Sequence, residues 1–203
     1  MPKIYSIRPT LSLRGRRFRG LRGFTGKPFH PPLTDFPIVC YSLAAVFDLI
    51  SYVSSGDDPK AHDFFAAATF VMVAGFVVGL GAAITGFFDW WKGIPRDRKS
   101  GPIGRAKHTQ VWRTINWHAT VMVTVTVITL ADLLLRIPSF EEGQTQLAWL
   151  VLSVLAAALV LFGAAYGGTL VFEYGFNVEN VDEVWTETDE DHVRGERRDR
   201  PAP

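Results

Sequence analysis

Residues 64–91 read FFAAATFVMVAGFVVGLGAAITGFFDWW, an apolar run with no charged residue between Asp63 and Asp89. A helix rises about 1.5 Å per residue, so about 20 apolar residues cross the roughly 30 Å hydrocarbon core of a bilayer. The run therefore predicts a membrane-spanning helix. Small residues at helical spacing form a stripe along it, and such a stripe lets a neighbouring helix approach closely. The stripe consists of Gly75, Gly79, Ala83 and Gly86.

Three more apolar runs predict spans at about residues 36–54, 114–137 and 147–172. Hydrophobic residues make up 48% of the 203-residue chain and are segregated from the charged ones, as is typical of membrane spans with polar ends. Short loops between consecutive helices favour an up-down-up-down arrangement. The prediction is an all-α integral membrane protein, an antiparallel four-helix transmembrane bundle. Residues 163–168, GAAYGG, give the last span a second small-residue stripe, and we expect both stripes to be buried between helices.

Charged residues flank the predicted spans with a regular bias. The arm at residues 1–29 and the loop at 92–113 are rich in Lys and Arg, whereas the loops at 55–63 and 138–146 are acidic. Because Lys and Arg collect on the cytoplasmic side, we expect both termini in the cytoplasm and the chain in a bacterial inner membrane. The predicted domains are a basic cytoplasmic arm at 1–29, a transmembrane domain at 30–177 and a charged cytoplasmic tail at 178–203.

The basic arm also bears on binding partners. Basic residues close to the inner leaflet are attracted to anionic lipid by about 1 kcal/mol each. We therefore expect anionic lipid to bind residues 1–29, and we expect no nucleic-acid partner.

The sequence excludes several classes of functional site. Cys40 is the only cysteine, which excludes an internal disulfide, a zinc cluster and a cysteine-ligated iron–sulfur centre. No phosphate-binding glycine loop, nucleophile elbow or His-Glu-x-x-His motif occurs. We therefore predict no catalytic residue and no metal site formed by protein ligands, and we favour a non-catalytic subunit or an electron carrier over an enzyme.

Ionisable residues gather at the predicted cytoplasmic ends of the four spans. They are His30, Asp35, Asp89, His118 and Glu173. One interpretation is interfacial anchoring, in which the acids at helix ends pair with basic side chains of the loop at 92–113, such as Arg96, Arg98 or Arg105. The other is a metal, haem or proton-handling site, because histidines and carboxylates that converge inside a bundle commonly build such sites. The residues alone leave both interpretations open.

His30 and His118 form the one histidine pair near the same predicted membrane face. Two imidazoles on different helices can bind a haem iron axially when their rings face each other at one depth. His118 lies about one turn inside the third span. His30 precedes two prolines, so it could lie outside the helix and several Å from the level of His118. The pair is a candidate site for a b-type haem.

Asp48 and Asp132 lie inside predicted spans, toward the opposite membrane face. Asp132 has Arg136 one turn later, a spacing suited to an ion pair. Asp48 has no such local cation, so it should face the bundle interior, be protonated, or find a partner such as a threonine hydroxyl of the third span. These two acids support an alternative function in proton or ion handling.

Four segments resemble the bacterial four-span membrane family DUF2231 over about residues 29–178. They are HPPLTDFPI at 30–38, GFFDWWKGIP at 86–95, NWHAT at 116–120 and YGGTLVFEYGFNV at 166–178. Asp35 stands where the opening motif of the family commonly has a second histidine. Members of the family occur alone or beside Rieske-type modules, so the resemblance implies a place near membrane electron transfer.

The resemblance and the histidine pair together predict a small inner-membrane subunit of a redox assembly. It would act either as an anchor or as the carrier of a b-type haem between His30 and His118, with other membrane subunits as partners. The alternatives are a proton- or ion-handling protein that uses Asp48 and Asp132, and a purely structural membrane subunit.

Overall fold

The computed structural model describes Leu21 and residues 28–93 and 110–178. Its elements are α1 (His30–Val53), α2 (Pro59–Gly93), α3 (Gln110–Arg136), a short 3₁₀ helix (Ile137–Glu142) and α4 (Leu147–Phe172). No strand occurs within those described ranges. The four long helices are each long and apolar enough to cross a membrane, judged by length and composition. The predicted all-α class with four potential spans is confirmed.

Three predicted regions fall wholly or mostly outside the described residues. They are the basic arm at 1–29, the loop at 92–113 and the charged tail at 178–203.

Helix α1 begins at His30, before the start predicted near residue 36. Pro31 and Pro32 occupy its first positions, where a helix has no partner for its backbone N–H groups. Proline is suited to this place because it lacks that N–H and its φ angle is already helical. His30 is therefore part of α1, and the expectation that it could lie outside the helix is wrong.

The other helices extend or match the predicted spans. Helix α2 includes the apolar run at 64–91 and begins earlier, at Pro59. Helix α3 ends at Arg136, and the chain then tightens into the 3₁₀ helix. Gly143 ends that turn with φ at 83°, in the left-handed region that glycine adopts without steric strain. Helix α4 has the bounds predicted for the last span, residues 147–172.

Helix α1 packs against α2 and α4, and α3 packs against α4 and α2. Glycines of both small-residue stripes lie in these interfaces. A Cβ atom on Gly75 would stand 2.6 Å from Cys40 Cβ of α1, and one on Gly163 would stand 2.6 Å from Met122 Sδ of α3. Glycine therefore permits the close helix spacing at these positions. Ala83 differs from the rest of its stripe, because it is exposed.

The interior is largely apolar between the two ends of the helices. Its buried cluster consists of Tyr41, Ala44, Met72, Val125, Leu133 and Val160. The outward faces also carry exposed apolar side chains, among them Val39, Phe70, Val123 and Val151. Exposed apolar surface of this extent is typical of helices surrounded by lipid.

Candidate functional site

Ionisable side chains in the interior form two groups, one toward each end of the helices. We call one the histidine end, formed by His30, Asp89 and His118, and the other the arginine end, formed by Asp48, Asp132 and Arg136. Asp35 and Glu173 are exposed and belong to neither group. Of the five residues expected at one membrane face, three therefore lie in the interior.

The two histidines are close neighbours although they come from different helices. His30 is the first residue of α1 and His118 lies near the start of α3. Their ring centroids are 6.3 Å apart and their ring planes make an angle of 82°. The structure therefore brings together the two histidines that the sequence analysis paired.

Both histidine rings are held in the same way by backbone carbonyls. His30 Nδ1 lies 2.8 Å from the carbonyl oxygen of Ala82, and His118 Nδ1 lies 2.8 Å from that of Gly163. A carbonyl oxygen only accepts hydrogen bonds, so each Nδ1 carries the hydrogen and donates it. In a neutral ring, each Nε2 then keeps a lone pair that can bind a metal ion. No hydrogen bond engages either Nε2 within the described residues.

Each histidine ring packs against a glycine of a neighbouring helix. A Cβ atom on Gly86 of α2 would stand 2.7 Å from His30 Cε1, and one on Gly167 of α4 would stand 3.3 Å from His118 Cε1. A larger residue at position 86 would therefore displace the His30 ring. The hydroxyl of Thr85, the residue before Gly86, lies 2.9 Å from the carbonyl oxygen of Gly81 and 3.0 Å from that of Ala82, the carbonyl to which His30 donates.

The donor set limits the cofactors that this end could hold. Within the described residues, no group of three or more His, Cys, Asp or Glu side chains is arranged to bind a metal ion. A site built from protein ligands alone commonly needs three or four. A haem needs fewer, because the porphyrin provides the equatorial nitrogens and the protein provides only axial ligands. Two histidines are therefore enough for a haem.

Asp89 of α2 is the third member of the histidine end. It is 6% exposed, and its Oδ1 atom has no hydrogen-bond partner in the described part of the chain. The next residue, Trp90, donates its indole N–H to Asn116 Oδ1 at 2.9 Å, which joins α2 to α3 beside His118. The basic residues expected to pair with Asp89, at positions 96, 98 and 105, lie outside the described residues.

The arginine end is a fully buried network around Arg136. The guanidinium donates from Nε and Nη2 to Asp132 on its own helix, at 2.8–3.0 Å. It also donates from Nη1 and Nη2 to Asp48 of α1, at 3.1 and 3.0 Å. All three residues are 0% exposed. The predicted Asp132–Arg136 pair is confirmed, and the partner of Asp48 is the same arginine.

The loop before α4 completes this network. Thr145 donates its hydroxyl to Asp48 Oδ1 at 2.9 Å, and its backbone N–H donates to Ser51 Oγ at 2.9 Å. Gln144 donates to the carbonyl of Ser54 at 2.9 Å. The hydroxyl partner of Asp48 is therefore Thr145 of the loop, and the structure gives it no threonine of α3 as a partner. These bonds fasten the loop to the end of α1.

Sequence reasoning found the pairing of Arg136 with Asp132, but it missed the bonds of Arg136 and of Thr145 to Asp48. Arg136 and Asp48 are 88 positions apart, and Thr145 and Asp48 are 97 positions apart. One signal was available. Arg136 closes a long apolar run, and a cation at such a place needs an anion from another helix when its own helix buries it.

A comparison with protein-family models matches residues 26–180 to a family described as "Predicted membrane protein (DUF2231)". The chain belongs to DUF2231. The matched part of this DUF2231 protein contains both the histidine end and the arginine end. Neither the curated proteins nor the solved structures include a significant match. The family description places the chain in a membrane and names no activity, so its function has to be argued from these two groups of residues.

Proposed function

We propose that this DUF2231 protein is a small subunit of a membrane redox assembly that carries a b-type haem between His30 and His118. The observation that supports this function best is the histidine pair, with both Nδ1 atoms bonded to backbone carbonyls. Electron transfer would be the chemistry that the haem supplies. The protein would hold the haem, exclude water from it and orient its two axial ligands.

The separation of the rings supports a shared ligand. The ring centroids of His30 and His118 are 6.3 Å apart, so both histidines would be able to hold one haem, whose chemistry would be electron transfer. Helices α1 and α3 lie diagonally opposite each other in the bundle, because each packs against both α2 and α4. The space between the rings is therefore bounded by all four helices.

The hydrogen bonds of the rings support the same function. A histidine that binds a metal usually donates its other ring N–H to a carbonyl or carboxylate, which fixes the ring and raises its basicity. Ala82 and Gly163 provide these carbonyls for His30 and His118. The pair is thus oriented before any ligand arrives.

Helix contacts support an antiparallel bundle in the membrane. His30 at the start of α1 contacts Gly86 near the end of α2, whereas Ser51 near the end of α1 bonds to Ala61 near the start of α2. The alternation of basic and acidic loops then favours cytoplasmic termini, in a bacterial inner membrane, with the histidine end toward the cytoplasm. Anionic lipid at the basic arm and other membrane subunits are the proposed partners.

The haem proposal is tested by the absorbance spectrum of protein purified in detergent from cells supplied with haem. We expect a Soret band in the parent protein and its loss in His30→Ala and in His118→Ala. His62→Ala is the matched control, because His62 is exposed in the first turns of α2. A parent protein without a Soret band, or a spectrum that survives His118→Ala unchanged, would refute the proposal.

Proton or ion handling at Asp48 and Asp132 is a second candidate function. It is favoured by the charge balance of the arginine end, where one guanidinium faces two carboxyl groups. Liposomes that contain Asp48→Asn are the test, with the parent protein alongside. An ion or proton flux that is equal in both would exclude this function.

A purely structural membrane subunit is the remaining alternative. Co-purification separates it from the haem proposal, because a structural subunit would hold its partners equally well after His118→Ala. A carrier of the haem would lose the spectrum in that variant.

A further inference from the structure

We propose that Asp89 takes up a proton from the cytoplasmic side when an electron reaches the site between His30 and His118. This inference rests on the proposed haem-binding function. It extends that function from electron transfer to redox-linked proton uptake.

The first support is the incomplete pairing of the Asp89 carboxyl group. The residue is 6% exposed, and its Oδ1 atom has no hydrogen-bond partner among the described residues. Buried polar atoms in folded proteins are nearly always hydrogen-bonded, because losing water without a replacement bond is unfavourable. An exception of this kind suggests that the atom serves a function, and a carboxyl oxygen with a free lone pair can receive a proton.

The second support is the position of Asp89 relative to His30. Thr85 and Gly86 contact the His30 ring, with Thr85 Oγ1 at 3.5 Å from Nδ1. Residues three and four positions apart share a helix face, so Asp89 continues the face that these two residues form. The Cα–Cβ bonds of a helix also tilt toward its N-terminus, which directs the Asp89 side chain toward the level of His30.

The third support is the set of ionisable groups around this carboxyl. The helices packed against α2 are α1 and α3. At the histidine end their part-buried ionisable groups are His30 and His118, and each already donates its Nδ1–H to a carbonyl. The other charged groups at this end, within the described ranges, are exposed: Asp35, Lys92, Arg113 and Glu173. None of the described residues is a buried cation that could neutralise Asp89.

An electron that arrives at the site adds a negative charge to this interior. Like charges repel more strongly in a low-dielectric interior than in water, so the arriving charge makes proton binding at a nearby carboxylate more favourable. The step takes one electron from a one-electron reductant and one proton from a hydronium ion on the cytoplasmic side. An O–H bond of the hydronium ion breaks and leaves a water molecule, while a new O–H bond forms at Asp89 Oδ1, and no other covalent bond changes.

The test is a redox titration of the purified, haem-loaded protein at several pH values, with the midpoint potential determined from the absorbance spectrum. One proton per electron changes the reduction equilibrium tenfold for each pH unit, which is about 59 mV for a one-electron couple. We expect a slope approaching this value in the parent protein and a flat dependence in Asp89→Asn. Asp35→Asn is the matched control and should keep the slope, because it removes an exposed carboxyl group near the start of α1.

Two results overturn the inference and leave the haem proposal intact: a haem-loaded parent whose midpoint potential is independent of pH, and a slope that persists in Asp89→Asn. A parent without a haem spectrum overturns both proposals. If Asp89→Asn does not load haem, Asp89→Glu replaces it. If the midpoint potential of Asp89→Glu then changes with pH over a different pH range than in the parent, the result supports proton uptake at position 89. If it changes over the same pH range as in the parent, the result overturns the inference.

Discussion

The histidine end and the arginine end differ in how completely their polar groups are bonded. At the arginine end, the guanidinium of Arg136 reaches both Asp48 and Asp132, and Thr145 adds a further donor. At the histidine end, two ring nitrogens and one carboxyl oxygen have no hydrogen bond within the described residues. A saturated buried network needs nothing more and holds helices together, whereas unsatisfied groups that converge in an interior point to a ligand. The comparison supports a stabilising role for the arginine end and agrees with the proposed ligand at the histidine end.

The largest expected effect is a loss of stability when the network at the arginine end is broken. Arg136→Met would leave two carboxylates buried without a cation, and removing one partner of a buried ion pair destabilises by roughly 3–5 kcal/mol. We expect a much lower unfolding temperature in detergent, measured by circular dichroism. The triple variant Asp48→Asn, Asp132→Asn, Arg136→Met removes all three charges and should recover much of the loss. An unfolding temperature equal to that of the parent in the single variant would contradict a stabilising role for this network.

The next largest effect is expected on haem content when Gly86 or Gly167, the glycines beside the two histidine rings, is replaced. Alanine at position 86 brings a Cβ to 2.7 Å from His30 Cε1, so the ring must move, whereas alanine at position 167 brings one to 3.3 Å from His118 Cε1 and needs only a small adjustment. We expect Gly86→Ala to lower haem content severalfold and Gly167→Ala to lower it much less. The ratio of Soret to protein absorbance measures both. Equal haem content in the two variants would contradict the difference in space around the two histidine rings at positions 86 and 167.

A smaller effect is expected from the loop at the arginine end. Thr145→Val removes one hydrogen bond to a buried carboxylate, and such a bond contributes about 1.5–3 kcal/mol. The unfolding temperature should fall, but less than in Arg136→Met. Thr124→Val is the control, since the Thr124 hydroxyl is exposed and bonds only to its own helix at Thr120. A fall of the same size in this control would contradict a stabilising role for the bond between Thr145 and Asp48.

The smallest expected effect is a shift of the midpoint potential at the histidine end. The Thr85 hydroxyl lies within hydrogen-bond distance of the carbonyls of Gly81 and Ala82, and His30 donates to that of Ala82, so Thr85→Val removes one competing donor from the Ala82 carbonyl. A stronger bond at Nδ1 makes the ring a more basic ligand, which favours the oxidised iron. We expect a slightly lower midpoint potential, with Thr126→Val, whose hydroxyl bonds to Met122 of its own helix, unchanged. A rise in Thr85→Val would show that the shared carbonyl does not act in this way.

Length and hydropathy predicted the four spans because each span is a property of a local stretch of sequence. The bounds of α4 follow directly from its apolar run. Pro31 and Pro32 indicate where α1 starts, because proline suits the first turn of a helix. The apolar run begins later, so hydropathy alone placed the start too late. Hydropathy thus finds the part of a helix that lies in lipid and misses polar residues that begin it.

The candidate site could be predicted only in part, because it depends on which helix face each residue occupies. Asp35 lies five positions after His30, a rotation of about 140° around the helix, and is exposed where His30 turns inward. The bond between Arg136 and Asp48 joins residues 88 positions apart and follows from packing. Periodicity places residues on a helix, whereas contacts across the interior require the three-dimensional arrangement.

His30, as the first residue of α1, also has a consequence for the loading of the proposed ligand. The first turn of a helix holds its backbone least firmly, because its N–H groups have no partner within the helix. The arginine end, by contrast, is complete without any added group. The arginine end therefore joins α1, α3 and the loop before α4 without a ligand, whereas the proposed ligand would be needed only at the opposite end. Loading of that ligand would then concern a single end of the helices.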